Sequence, residues 1–453
     1  MATSLSSSGS SSKSDLALLE EQLSIPALET LACRLASSEH VTVQMPPMRG
    51  SFNLVYPLSF PDGRKWVARV PHPKSFDMTL MQSSIYTTRL IRERTTIPIP
   101  TIHAYDTSSN NELGTPYILM DFLEGVSLGL VWKDGNVVDD AARRHIFEQI
   151  AGYMSQLNAL EFDKIGHLQY DEGSGEYYVG PYRRLRYFLK SDASIVEESG
   201  PYTTTHAFLS HLAQTLINSP DHHKPIFTLL RLFALSLPDS QYDGPPFVLS
   251  HPDFDSQNVL VDPKTLNITG FIDWDGVHVG PRLNGFARYP AWITRDWDPF
   301  IYDWQDPEVE KSDNQGDEDG NADRSDDRDD DDDEEADKSQ PTPSQRAGSD
   351  TSSLIYREES PSTLQQHRDL YLSIYSAVDS RNSDITRQSH VFEALVIALQ
   401  SPELAGEILG KLCEHVFDAD QVSYGQLLVG IEKGDWIKTT QTGSSGQQLE
   451  IAS

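Results

Sequence analysis

The sequence HPDFDSQNVLVD at residues 251–262, followed by FIDWD at residues 271–275, decides the fold of this chain. An Asp stands two positions after a His, an Asn follows five positions later, and another Asp comes after an apolar run. Val259–Val261 and Ile268–Ile272 are rich in apolar and β-branched residues, which predicts the two strands of a short hairpin. Asp253, Asn258 and Asp273 are therefore expected at one site, held at the edges of strands.

These three side chains match what the transfer of a phosphoryl group requires. Mg²⁺ prefers hard oxygen ligands, which Asn258 and Asp273 would supply from the two arms of the hairpin. Asp253, at the tip of the loop, would orient or deprotonate an acceptor hydroxyl. A single Asp or Asn in a turn most often serves the backbone locally, so it is the joint pattern that predicts catalysis.

The motif resembles that of the aminoglycoside phosphotransferase/choline kinase-like family, a branch of the protein-kinase-like fold. There the loop usually reads His-Gly-Asp-Leu-His-x-x-Asn, followed by Ile-Asp-Trp or Ile-Asp-Phe. Here Pro252 replaces the Gly, and Asp255 stands where the second His is frequent. We expect structural or second-sphere roles for His251, Asp255 and Asp275.

The resemblance implies a bilobal α+β fold. A small antiparallel sheet with one helix would form the N-lobe, and a larger, mainly helical C-lobe would follow. It also implies an enzyme that uses ATP and Mg²⁺ and a small-molecule hydroxyl as acceptor. Acidic residues after the motif would favour a cationic acceptor such as an amino sugar or choline, namely Asp275, Asp296 and Asp298.

Three N-terminal segments extend the resemblance to a nucleotide site. Arg69 stands where kinases carry a strand lysine that holds the α- and β-phosphates. The segment Tyr117–Phe122 resembles the strand and hinge that cup adenine, so backbone groups of Asp121 and Leu123 would hold the base. A loop between two predicted strands would cover the phosphates, although one glycine is equally typical of an ordinary hairpin turn; its residues are Gly50, Ser51 and Phe52.

The family also pairs the strand cation with a Glu on the following helix, and this chain departs from that pattern. The expected position falls near Ser84, and Glu93 is the nearest acid, further along the predicted helix. The pair is predicted to be missing unless Gln82 or Ser84 substitutes for the Glu. A pseudokinase-like binding module with little or no turnover is therefore the alternative. A protein kinase is disfavoured, since no Asp-Phe-Gly or Ala-Pro-Glu triplet follows.

The charge of the chain limits the classes of macromolecule that we expect it to bind. The 453 residues carry a net charge of −32, and residues 306–338 hold 18 acidic against 4 basic side chains. An acidic surface repels phosphate backbones, so nucleic acid is not an expected partner. The acidic segment could attract a basic protein, although such runs are usually solvated tethers.

The same composition predicts the domain boundaries. We expect a disordered N-terminus (1–14), an N-lobe (15–124), a C-lobe with the catalytic loop (125–304), an acidic disordered insert (305–355), C-terminal helices that complete the C-lobe (356–440) and a disordered tail (441–453). The two cysteines, Cys33 and Cys413, form no disulfide framework. No run of about 18 apolar residues or secretory signal occurs, so a cytoplasmic protein with no membrane partner is expected.

Overall fold

The computed structural model describes residues 15–187, 194–217, 224–299, 301–305, 358–401, 403–416 and 424–433. The predicted disordered termini, 1–14 and 441–453, and nearly all of the acidic insert, 305–355, lie outside the described residues. Within the described ranges, no helix has both the length and the apolar character needed to span a membrane.

An antiparallel sheet forms the N-terminal part of the fold. Its strand order is β1-β3-β4-β6-β5, with β2 paired to the free part of β3. Strand β3 turns into β4 through Gly63, which adopts a left-handed φ of 88° that glycine tolerates at no steric cost. The six strands are β1 Thr42–Val43, β2 Met48–Arg49, β3 Asn53–Ser59, β4 Lys65–Pro71, β5 Ile102–Asp106 and β6 Tyr117–Asp121.

Helices cover the two faces of this sheet, and the sheet separates two hydrophobic cores. Helices α1 (Asp15–Gln22) and α2 (Ile25–Ala36) supply Leu28 and Leu31 to a small core with Leu54 and Leu58. Helix α3 (Met78–Arg94) instead contributes to the larger core that continues into the C-terminal part. Because α3 shares a core with both parts, it links the sheet to the rest of the molecule.

The C-terminal part is mainly helical. Its helices are α4 Leu128–Val131, α5 Asp140–Met154, α6 Thr205–Ile217, α7 Lys224–Ser236, α8 Pro361–Val378, α9 Ser383–Gln400, α10 Ala405–Val416 and α11 Tyr424–Lys433. An antiparallel N-terminal sheet followed by a helical part confirms the predicted α+β fold class.

Short strands lie between the helices of this part. One small sheet has the order β14-β13-β7, and three two-stranded ribbons pair β8 with β9, β10 with β11 and β12 with β15. The ribbons between residues 168 and 199 were not anticipated from the sequence. The strands are β7 Val126–Ser127, β8 Leu168–Asp171, β9 Glu176–Val179, β10 Tyr182–Tyr187, β11 Ser194–Ser199, β12 Val248–Ser250, β13 Val259–Val261, β14 Ile268–Phe271 and β15 His278–Gly280.

Candidate active site

The β13–β14 hairpin places two of the candidate residues. The strands pair antiparallel with Val259 opposite Phe271, and the Ile272 N–H donates to the Asn258 carbonyl at 2.9 Å. In an antiparallel pair, the residue before the first strand and the residue after the second lie at the same end. The structure therefore brings Asn258 and Asp273 together.

Asp253 lies beside Asn258 in the same loop. The Asn258 Nδ2 donates to Asp253 Oδ2 at 2.9 Å and to the Asp253 carbonyl at 3.0 Å, and Gln257 Nε2 donates to the same Oδ2 at 3.2 Å. Both Asn258 amide hydrogens are thus committed to Asp253. The Asn258 Oδ1 takes no hydrogen bond from the described residues, which leaves a hard oxygen suited to a metal ion.

His251 supports the backbone of this loop. Its Nδ1 accepts the Asp253 N–H at 3.2 Å, and its carbonyl accepts from Arg288 Nη2 at 2.6 Å. Burial, together with the nearby Arg288 charge, lowers the pKa of His251 to about 3. The imidazole is therefore neutral at pH 7, with its proton on Nε2.

Asp273 has a strained backbone and a perturbed carboxyl group. Its φ is 59°, in the left-handed region that non-glycine residues rarely adopt. Burial raises the pKa of Asp273, and the attraction of Arg69 offsets this only in part. Strain of this kind is concentrated at functional sites, where surrounding contacts hold it in place.

Arg69 joins the N-terminal sheet to this site. Its Nη2 donates to Asp275 Oδ2 at 2.6 Å and its Nη1 to Asp275 Oδ1 at 3.4 Å, while Nη2 also reaches Asp273 Oδ1 at 3.1 Å. Burial acts to lower the pKa of Arg69, but Asp275 and Asp273 outweigh it and the pKa is raised. Asp275, for which only a structural or second-sphere role was expected, is thus the main partner of the strand cation.

The residues considered as substitutes for the helix Glu do not bond to Arg69. Ser84 Oγ accepts the Gly276 N–H at 3.3 Å and donates to the Leu80 carbonyl at 3.0 Å. Glu93 accepts a hydrogen bond from Tyr177 at 3.4 Å. The missing carboxylate is supplied by Asp275 instead, 206 positions along the chain from Arg69. Sequence spacing gives no signal for such a contact.

The predicted phosphate-covering loop is a tight turn between β2 and β3. The Gly50 N–H donates to the Asn53 carbonyl at 2.9 Å, and the Phe52 carbonyl accepts the His72 N–H at 2.8 Å. Gly50, Ser51 and Phe52 are exposed. Asn53 Nδ2 lies 3.4 Å from Asp275 Oδ2, which ties the turn to the Arg69–Asp275 pair.

In the predicted adenine-binding segment, the backbone N–H of Asp121 is already hydrogen-bonded, whereas that of Leu123 is available. The Asp121 N–H donates to the Thr101 carbonyl at 2.9 Å, and its carboxylate accepts from the Thr101 N–H at 3.0 Å and contacts His103 Nε2 at 2.7 Å. Burial alone would raise the pKa of Asp121, but these hydrogen bonds lower it. The Leu123 N–H has no partner in the described part of the chain, so Leu123 offers the available donor.

Two acidic residues near the motif form structural ion pairs. Asp255 accepts from Arg295 Nη2 at 3.2 and 3.4 Å. Asp296 forms a buried two-pronged pair with Arg368 of α8, with distances of 2.6 and 3.1 Å. Asp296 is therefore occupied by an ion pair inside the protein, which argues against its suggested part in attracting a cationic acceptor.

The side chains that could ligate a metal ion can be compared with what Mg²⁺ requires. Among the described residues, no group of three or more His, Cys, Asp and Glu side chains is arranged to hold a metal ion. Mg²⁺ takes one or two protein ligands and completes its octahedron with water and phosphate oxygens. The pair of Asn258 and Asp273 fits that requirement, although Arg69 contacts one oxygen of Asp273.

Proteins with similar sequences include fungal ones. A subtelomeric hrmA-associated cluster protein of Aspergillus fumigatus is 24% identical over 309 residues, covering 54% of this chain and 60% of that protein. The mitochondrial altered inheritance of mitochondria protein 9 of Meyerozyma guilliermondii is 27% identical over 126 residues, covering 27% and 20%. This chain therefore spans less than two thirds of the length of either relative.

Solved structures that a structural comparison matches to this chain include phosphotransferases. A putative aminoglycoside phosphotransferase from Ralstonia eutropha has a TM-score of 0.45 at 12% identity, covering 91% of this chain and 95% of that one. A Plasmodium vivax ethanolamine kinase has a TM-score of 0.40 at 10% identity, covering 88% and 83%.

A sequence model of the phosphotransferase enzyme family, APH, matches residues 46–306. The match covers more than half of the chain and contains β2 to β15, including Arg69, the 251–262 loop and Asp273. The chain belongs to the phosphotransferase enzyme family.

Proposed function

We propose that this protein transfers the γ-phosphoryl group of ATP to a hydroxyl of a small molecule. The observation that carries the proposal is the meeting of Asp253, Asn258 and Asp273 at one end of a hairpin, with Arg69 bonded alongside. Bound Mg²⁺, held by Asn258 and Asp273, would neutralise phosphate oxygens during transfer.

Asp253 would act as the general base. The acceptor oxygen forms a bond to the γ-phosphorus, the bond from that phosphorus to the ADP oxygen breaks, and the acceptor proton passes to the Asp253 carboxylate. Asn258 and Gln257 both donate to Oδ2, which fixes the carboxylate and leaves Oδ1 to face the acceptor. Base assistance of this kind contributes about 10²–10⁴-fold to rate.

Arg69 would hold the phosphates of the donor. A guanidinium has five N–H donors, and the contacts of Arg69 to Asp275 and Asp273 use only its two terminal nitrogens. Asp275 aims the guanidinium, and the exposed turn of Gly50 to Asn53 would cover the phosphates. The Leu123 N–H, with the backbone of Asp121 nearby, would hold the base.

The test is phosphoryl transfer from ATP across a panel of metabolite alcohols with Mg²⁺. We expect activity in the wild type, and its loss in Asp253→Ala and Asp273→Ala. Asp262→Asn is the matched control, because Asp262 caps the turn at the far end of the same hairpin through the Lys264 and Thr265 N–H groups. Activity that survives both alanine substitutions would show that the assignment is wrong.

A pseudokinase-like module that binds nucleotide without turnover is the second candidate. It is favoured by the direct bond of Arg69 to Asp273 at 3.1 Å, because a metal ion would compete with Arg69 for that carboxylate. A thermal shift assay separates the two candidates when combined with the transfer assay. A ligand at about 100 times its Kd adds about 2.7 kcal/mol of apparent stability. Stabilisation by ATP and Mg²⁺ without transfer would favour the module, and no stabilisation would count against both.

A further inference from the structure

A cavity of about 460 Å³ lies on the α3 side of Arg69. Helix α3, strand β10 and helix α9 form its walls, and Pro252 of the catalytic loop and Asp275 lie at its edge. Its volume is in the range of small-molecule sites. A molecule in this cavity would lie next to the loop that carries Asp253, so under the proposed function the cavity is the place for the acceptor.

Each carboxylate that lines the cavity already has a guanidinium partner. Arg183 Nη1 lies 3.1 Å from Asp77 Oδ2, and Arg69 Nη2 lies 2.6 Å from Asp275 Oδ2. The third pair joins Glu393 of α9 to Arg288, whose side chain is 3% exposed. A cationic ligand would therefore find no carboxylate on these walls that is not already in an ion pair.

The two histidines that line the cavity are uncharged. Burial lowers the pKa of His167 to about 3 and that of His278 to about 4, so both rings are neutral at pH 7. The lining has four guanidinium groups (69, 183, 184, 288) and three carboxylates (77, 275, 393), so carboxylates are not in excess on these walls, and Arg69 and Arg183 also pair with Asp273 and Glu198 just outside the lining. The whole chain, in contrast, carries −32.

Apolar side chains form most of the rest of the wall. They include Phe76, Leu80, Met81, Phe208, Val396 and Ile397. Moving a cation from water to such a surface costs free energy unless an anion compensates it, and the available anions are paired. Apolar surface, by contrast, gains from being covered.

We propose that this cavity binds the acceptor alcohol and that the acceptor has a largely apolar body and no positive charge. This inference rests on the proposed function, and it excludes the polycationic amino sugars that an acidic pocket would select. Arg69 and Asp275 line this cavity, so the acceptor would lie beside the side chain that is proposed to hold the phosphates of ATP.

Binding to a pair of alcohols of the same shape tests the inference. Para-tert-butyl phenethyl alcohol and its para-trimethylammonium analogue differ in charge but hardly in volume. We expect calorimetry on the full chain, without nucleotide, to show the uncharged alcohol binding at least about 10-fold more tightly, a difference of about 1.4 kcal/mol.

A matched pair of variants keeps the test specific to the cavity. Met81 is a half-buried residue of α3 on the cavity wall. Met81→Glu adds an unpaired carboxylate and should reduce the preference for the uncharged alcohol, whereas Met81→Gln, of similar shape, should change it much less.

The outcomes separate this inference from the proposed function. Preference for the uncharged alcohol without any transfer from ATP would contradict the proposed function and support the assigned ligand class. Equal or tighter binding of the cationic alcohol would overturn the inference, even if another alcohol is phosphorylated. Binding of neither alcohol, or an unchanged preference in Met81→Glu, would also overturn it.

Discussion

Asp275 and Arg69 form the contact that distinguishes this site at the level of single residues. Arg69 is 15% exposed and Asp275 is 44% exposed, so the pair lies at the wall of the cleft rather than in the core. A two-pronged guanidinium–carboxylate pair fixes the direction as well as the charge of both partners. Under the proposed function, Asp275 is therefore the group that would position Arg69 toward a phosphate.

Replacing Asp275 by Asn should weaken the hold on Arg69 without unfolding the protein. Hydrogen bonds to charged groups are worth about 1.5–3 kcal/mol, so we expect phosphoryl transfer to fall by roughly 10- to 100-fold, with a rise in KM for ATP. Asp275→Glu should recover part of the loss. Steady-state kinetics would check this, and wild-type KM and kcat in Asp275→Asn would contradict a positioning role.

The sequence predicted that Asp253, Asn258 and Asp273 lie together because they flank one short hairpin, where chain spacing determines spatial distance. It could not identify Asp275 as the partner of Arg69. That contact depends on the direction of two side chains from distant elements, and a position on a helix was the expected source of the carboxylate. The left-handed backbone of Asp273 was likewise invisible, because residue identity alone does not report φ.

At the level of elements, the connection from β6 to β7 determines how the two parts of the fold meet. Strand β7 pairs with β13, with Val126 opposite Val261, so the chain leaving the N-terminal sheet joins the catalytic hairpin directly. Gly125 directly precedes β7, and its backbone φ is 144°. A Cβ there would lie 2.4 Å from Thr269 Oγ1 and 3.1 Å from the Val261 carbonyl.

Gly125→Ala should therefore destabilise the protein by about 1–3 kcal/mol, through backbone strain and steric overlap. Urea denaturation would measure the change. Gly135→Ala is the matched control, because nothing lies within 4 Å of a Cβ at that position, and its effect should stay within about 0.5 kcal/mol. Equal stability of the two variants would show that β7 is not held closely against the hairpin.

A long amphipathic helix was predictable from the sequence, whereas the short ribbons of the C-terminal part were not. An amphipathic pattern over residues 141–160 predicts a helix, and α5 spans Asp140–Met154 with Ile146, Phe147 and Ile150 buried. The β8–β9 and β10–β11 ribbons were missed. Their strands of four to six residues give too few alternations to be distinguished from loop, and unlike β13 and β14 they do not flank a recognisable motif.

At the level of the whole molecule, buried ion pairs attach the C-terminal helices to the catalytic region. Arg368 of α8 bonds to Asp296, and Arg288, which bonds to the His251 carbonyl, pairs with Glu393 of α9. Helical periodicity after the acidic segment was visible in the sequence, but these attachments were not, because they join side chains across separate elements. The cytoplasmic location and a basic partner for residues 305–355 stay predictions.

Removing one partner of a buried pair should be costly. We expect Arg368→Met to destabilise the protein by about 3–5 kcal/mol, because Asp296 would be left charged and buried. The double variant Arg368→Met/Asp296→Leu should recover most of this loss. Arg387→Met is the control on an exposed pair with Asp384, 63% exposed on each side, and should cost under about 1 kcal/mol. Equal effects of the two single variants in chemical denaturation would contradict a buried attachment.

Stability should also fall as the pH decreases. Burial lowers the pKa of His167, His251 and His390 to about 3 and that of His278 to about 4. The unfolded chain binds these protons near the ordinary pKa of 6.5, so the stability is present above that pH and is lost between about 6.5 and 3.

Denaturation between pH 8 and pH 5 would measure this slope. The variant His390→Gln should have a slope smaller by at most about 1.4 kcal/mol per pH unit, the contribution of one proton. An unchanged slope in that variant would show that His390 titrates normally in the folded protein.

Comparison of the wild type with Asp253→Asn tests the central claim most directly. ATP affinity with Mg²⁺ and the rate of transfer to an alcohol would be measured on the same two proteins. Because Asp253 is assigned to the acceptor rather than to the nucleotide, ATP affinity should be unchanged, while kcat should fall by about 10²–10⁴-fold. Equal kcat in the two proteins would contradict the account.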